Sequence, residues 1–151
     1  VCLLRPYSRG TVSLASAKES DPPLINPNFL NDGRDVDTLI KGAKMTQNIL
    51  NTPPLKKYQK REIYGVHSNL TDKEWEQHIR NRADTIYHPV GTCKMGKDPL
   101  AVVNSSLKIR GLTNIRIADA SIMPTITSGN TNAPTIMIGE KCAAMIMDVH
   151  A

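Results

Sequence analysis

The chain has 151 residues, 40% of them hydrophobic and 22% charged, so it is long enough to bury a core of its own and is neither a disordered nor a fibrous composition. Its formal charge of +5 and pI near 9.2 raise the question of a nucleic-acid partner, but the basic residues are scattered, and the one dense run, Lys56-Lys57-Tyr58-Gln59-Lys60-Arg61, reads as solvated surface in a loop. No apolar stretch reaches the roughly 20 residues that span a bilayer, and Cys2, Cys93 and Cys142 lack metal-ligand spacing, while their odd number excludes complete internal pairing.

The chain opens at Val1 with neither an initiator Met nor a signal-peptide pattern, so it is expected to begin within a longer protein or to have been processed or truncated. Val1-Cys2-Leu3-Leu4 and Thr11-Val12-Ser13-Leu14 read as two short strands around a Pro/Gly-punctuated connection. Residues 20–31 hold Asp21-Pro22-Pro23 and Asn26-Pro27-Asn28 and read as an extended, turn-rich loop, because a residue before proline is pushed out of the helical region.

From Asp35, read as the N-cap, Val36, Leu39, Ile40, Ala43, Ile49 and Leu50 keep helical spacing until Pro53-Pro54 ends the run. Thr71-Asp72-Lys73-Glu74 fits a capping box opening a second helix, with Trp75, Ile79 and the stem of Arg82 as its buried stripe and an end near Asp84. Residues 101–103, 107–109 and 115–118 suggest short strands, the first two joined by an Asn104-Ser105-Ser106 turn. A last helix is expected over residues 133–149, with Pro134 in its first turn. Ile136, Ile138, Cys142, Ala143, Ile146 and Met147 make it apolar almost all round, so it expects cover on most sides.

Two stretches carry residues suited to chemistry. His88 lies in Tyr87-His88-Pro89-Val90-Gly91-Thr92-Cys93-Lys94-Met95-Gly96, where proline and two glycines make a tightly turning backbone that presents an imidazole; the bland alternative is an ordinary loop histidine. Asp119-Ala120-Ser121-Ile122-Met123-Pro124 leads to Ser128-Gly129-Asn130-Thr131-Asn132-Ala133-Pro134-Thr135 and the apolar helix. Free amides and the positive dipole end there favour an anion or an electron-rich carbonyl, and the alternative is simple capping. A zinc site from His67, His78, His88 and Cys93 matches no familiar spacing, and His150 at the frayed end gets no role.

Three blocks in order resemble the carboxy-terminal module of the glucose-methanol-choline (GMC) oxidoreductases: Leu4 to Gly10 with Asp21-Pro22 and Ile25 to Leu30, the His88 to Gly96 loop, and Ile115 to Lys141. The wording is closest to insect glucose-dehydrogenase-like members and choline dehydrogenases. The resemblance implies an FAD-dependent oxidoreductase acting on CH–OH donors, in which His88 matches the histidine that abstracts or manages the hydroxyl proton and Asn132 the second polar residue gripping a small alcohol or polyol. It also implies that Asp119 and Ala120 lie along the ribityl and phosphate region of FAD, and that Asn132, Ala133 and Thr135 lie under its pyrimidine edge.

The family's Gly-x-Gly-x-x-Gly turn, which holds the pyrophosphate, is absent from this stretch, so an amino-terminal FAD-binding domain is the expected partner. Asn104 stands where many relatives carry an acidic residue, which puts one local hydrogen bond in question. The implied fold is α+β: an antiparallel sheet with helices on one face forming a substrate-binding part over residues 1–100, then a flavin-contacting strand, loop and helix over residues 101–151 that complete the FAD domain. The rival reading is a catalytically silent truncated fragment or binding module of the same fold.

Overall fold

The computed structural model describes residues 1–65 and 70–148. Two compact units make up the chain, one from residues 1–10 and 26–85 and the other from residues 11–25 and 86–151.

The first unit is a helix pair. α1 (Gly33–Leu50) starts at Asp32, whose carboxylate accepts from the Arg34 amide, so the N-cap lies three residues before the Asp35 expected from sequence. Asp35 sits inside the first turn and is only 1% exposed; Tyr7 N and Ser8 N donate to its two oxygens at 2.8 Å each, and Ser8 Oγ donates at 2.6 Å. A carboxylate surrounded by three donors at a helix N-terminus is stabilised by the dipole as well as by the bonds. α1 ends at Asn51, and Pro53 then opens the single turn α2 (Pro53–Lys56), where its missing N–H costs nothing.

α3 (Asp72–Arg82) begins with the expected capping box: Thr71 Oγ1 accepts from Glu74 N, and the Glu74 carboxylate accepts from Thr71 N at 2.7 Å. Packing of α1 on α3 buries Val36, Ile40, Trp75 and Ile79, with Leu30, Leu39, Ala43 and Leu70 around them. Arg82 differs from its expected place in the stripe. The residue as a whole is exposed rather than buried by its stem, and its guanidinium lies 4.5 Å from the Tyr64 ring centroid.

In the second unit β1 (Thr11–Ser13) and β2 (Leu24–Asn26, its last residue belonging to the first unit) form a two-stranded antiparallel sheet, exposed along its whole length. β2 lies in the stretch expected to be loop, since the extended backbone that proline imposes on its neighbour also suits strand pairing. The expected opening strand at residues 1–4 does not form. Residues 95–116 make only single bridges, Met95 with Val103, Val103 with Ile109 and Lys108 with Arg116, in place of the expected strands. The larger sheet with helices on one face thus reduces to a ribbon, because a strand needs paired neighbours as well as β-branched residues.

Helix α4 (Asn132–Met147) closes the unit, one residue earlier than expected at its start; Val149 lies outside the described residues. Val103, Leu107, Ile122, Met123, Ile138 and Cys142 form the buried core, flanked by Val90, Met95, Ile117, Ala120 and Met145. The Asn104 turn is intact, since Asn104 Oδ1 accepts from Ser106 N at 2.9 Å and Lys108 N at 3.0 Å, as a carboxylate there would. Only Ile138 and Cys142 of α4 are buried, and Ile136, Met137 and Met147 are 59%, 58% and 64% exposed.

Candidate active site

The site is built wholly within the second unit, from the His88 loop, the turn at Asp119 and the N-terminus of α4. Backbone geometry shapes the loop first. Tyr87 has φ +62° and Gly91 φ +92°, both in the left-handed region, and Pro89 disfavours helical backbone at His88 between them. A left-handed Tyr costs about 1–2 kcal/mol, which the surrounding bonds must offset. At Gly91 a side chain would be strained by its φ, and its Cβ would meet the Met123 carbonyl oxygen at 3.4 Å.

Those offsetting bonds run to the turn at residues 119–123. Cys93 N donates to Ser121 O at 3.0 Å and Met95 N to Ile122 O at 2.8 Å, tying the loop to a single 3₁₀ turn (Ala120–Ile122). Asp119 caps that turn, its Oδ1 accepting from Ser121 N at 2.7 Å. Ala120 is half-buried against the core, while Asp119 is exposed. At the far end of the loop Lys94 pairs with Asp98 at 2.9 Å, and this hydrogen bond holds the Asp98 carboxyl below its ordinary range.

The third component meets the first through one side chain. Thr131 is 8% exposed and immediately precedes α4. Its Oγ1 lies 3.1 Å from His88 Nδ1, and its amide donates to the same nitrogen at 3.5 Å. Because the Thr131 hydroxyl is engaged with His88, it does not cap α4. Thr135 Oγ1 donates back to Thr131 O at 2.6 Å, fixing the first turn. Asn132 and Ala133 are exposed at that helix start and Thr135 is half-buried.

The structure therefore joins His88 to the residue beside Asn132 and joins the His88 loop to the turn after Asp119. Two residues were not singled out from sequence: Thr131, whose partner lies 43 positions away, and Ser121, whose buried Oγ is a side-chain polar atom without a hydrogen-bond partner. Neither has a local pattern beyond a small polar residue near a helix or turn. Among the described residues no three His, Cys, Asp or Glu side chains converge on a metal position, and His67 and His150 lie outside them. No described helix is long and apolar enough to cross a membrane.

A histidine presented from a strained loop is thus tied to the uncapped start of an apolar helix. Residues 6–139 match the family model for GMC oxidoreductase, and the chain belongs to that family. It is 52% identical over 147 residues to an alcohol dehydrogenase [acceptor] of Pseudomonas putida, covering 97% of this chain and 27% of that protein. It is 43% identical to a glucose dehydrogenase [FAD, quinone] of Drosophila pseudoobscura pseudoobscura over 95% of this chain and 24% of the relative, and 43% identical to an oxygen-dependent choline dehydrogenase of Citrobacter koseri over 95% and 26%. The chain thus spans about a quarter of the length of the curated relatives it matches. Among solved structures, pyridoxine 4-oxidase from Mesorbium loti aligns with a TM-score of 0.86 at 34% identity, covering 93% of this chain and 28% of that one. A formate oxidase aligns at 0.88 with 32% identity, covering 98% and 26%.

Proposed function

We propose that this chain is the carboxy-terminal catalytic module of an FAD-dependent oxidoreductase that oxidises an alcohol by proton abstraction and hydride transfer. The observation that carries the reading is the 3.1 Å contact of His88 Nδ1 with Thr131 Oγ1, which leaves the opposite ring nitrogen, Nε2, for a substrate and sets the imidazole beside the start of α4. His88 takes the hydroxyl proton of a small alcohol or polyol, and Asn132, exposed at the helix start, holds the same oxygen by its amide.

The residues present fit a flavin. The first-turn amides of α4 are not capped by Thr131, and the buried Ser121 Oγ lacks a protein partner, so donors remain beside Asp119 and Ala120. Asp119, Ala120, Asn132, Ala133 and Thr135 would hold the group. Bound FAD would supply the hydride acceptor that no side chain provides.

Residues 1–100 serve the substrate side and residues 101–151 contact the flavin, with α4 completing the FAD domain. The exposed Ile136, Met137 and Met147 support that assignment, because an apolar helix face of this kind is normally covered. An amino-terminal FAD-binding domain is the proposed cover, and the quarter of the relatives' length that this chain spans is consistent with one.

The test is anaerobic mixing of the full-length polypeptide, loaded with FAD, with a panel of primary alcohols, amino alcohols and polyols. Bleaching of the oxidised flavin absorbance by one class, and loss of bleaching in His88→Ala, is the expected result. No bleaching by any alcohol, with the flavin bound, would favour a silent module of the same fold.

A further inference from the structure

We infer that Thr131 is a positioning residue for proton transfer, and that its hydroxyl is the group that lets His88 carry a second proton. This rests on the reading of His88 as the base. Both contacts described at Nδ1 come from Thr131, the hydroxyl at 3.1 Å and the amide at 3.5 Å. They are not equivalent. An amide N–H can only donate, whereas a hydroxyl donates or accepts by rotating its hydrogen.

The distinction matters when the ring changes charge. In the transfer, the O–H bond of the carbinol breaks, an N–H bond forms at Nε2, the electron pair stays on the substrate oxygen, and the imidazole becomes imidazolium. Nε2 can take that proton only in the neutral tautomer that already carries hydrogen on Nδ1, so Nδ1 is a donor before the transfer and remains one in the imidazolium. At Nδ1 the amide opposes that form, and Thr131 Oγ1 is the group that accepts from it. Burial at 8% exposure keeps the hydroxyl in place, and the Thr135 bond to Thr131 O fixes the backbone that carries it. The hydroxyl thereby selects the tautomer with a free pair on Nε2, and its bond strengthens as the ring becomes charged.

The test uses the full-length FAD-loaded polypeptide and three variants. Thr131→Val keeps the shape and the amide but leaves Nδ1–H without an acceptor; kcat is expected to fall about ten- to a hundredfold with KM within about twofold, because the base-competent tautomer and the charged ring both lose their partner while the substrate contacts stay. Thr131→Ser is expected to restore most of kcat. The ¹⁵N spectrum of selectively labelled His88 gives a readout separate from turnover: the parent and Thr131→Ser should show the neutral ring with its hydrogen on Nδ1, and Thr131→Val should shift the ring toward the tautomer with hydrogen on Nε2. His88→Ala separates the two readings. If it leaves kcat unchanged, the base assignment fails; if it abolishes turnover while Thr131→Val alters neither kcat nor the imidazole spectrum, the role of Thr131 is overturned.

Discussion

The helix pair α1–α3 and the unit that carries His88 are held together by different means. In the first, each junction closes on itself: Asp32 and Thr71 cap their helices, Asp35 collects the amides of Tyr7 and Ser8, and Trp75 fills the seam. In the second, loops bond to loops, four non-glycine residues (Tyr87, Leu107, Asn114 and Ser128) stand at positive φ against Asn28 and Leu30 in the first, and α4 leaves much of its apolar surface in water. Satisfied caps make a scaffold, whereas helix-start donors that no side chain caps mark the part able to receive a ligand.

The largest expected effect that tests this contrast is Trp75→Ala, which should cost about 3–5 kcal/mol by cavity formation in the α1–α3 seam, read by urea titration. A loss under about 1 kcal/mol would mean that the seam does not hold the first unit.

Asp35→Asn comes next, at about 2–3 kcal/mol, because the amide group turns a donor toward groups that themselves donate. Burial alone would raise the Asp35 carboxyl, but the Ser8 hydroxyl bond and the Tyr7 and Ser8 amides outweigh it, and the net value is below the ordinary one. A depressed folded value gives stability that is present above about pH 4 and is lost as pH falls through the folded value. The gap between the parent and Asp35→Asn should therefore be full at neutral pH and narrow in acid. A gap that widened in acid would contradict the clasp.

Thr71→Ala should cost about 1 kcal/mol through loss of the capping box, seen as a small downward shift of the urea midpoint. Smallest in this chain alone is Ile136→Gln, within about 0.5 kcal/mol because the residue is exposed. In the full-length polypeptide the same change should destabilise by more than about 1 kcal/mol if α4 is covered there. Equal and negligible effects in both would leave α4 uncovered.

What was legible in the sequence follows the reach of each interaction. The capping box spans three positions and was legible, as was the apolar character of α4, whereas Pro53, read as ending the first helix, opens α2 after α1 has closed at Asn51. Asp35 was misread as a cap because its partners lie 27 and 28 positions away. Strands expected between residues 101 and 118 carry suitable side chains, yet pair only in single bridges for want of neighbouring strands. At the candidate site, residue types and resemblance pointed to both halves, but the side chain joining them was invisible, since Thr131 looks like any N-cap until its contact across 43 positions is seen.

The buried Asp35 clasp also constrains where the polypeptide can be trimmed. Any shortened version that begins after Ser8 would remove three donors from the carboxylate and leave a desolvated negative charge under the start of α1. Gly10 sharpens the limit, because a Cβ there would collide with the Asn26 carbonyl and come within 2.7 Å of the Pro27 backbone. The first ten residues thus act as a built-in strap, and a protease nick or a fused tag within them should loosen the helix pair although no residue of α1 or α3 is touched.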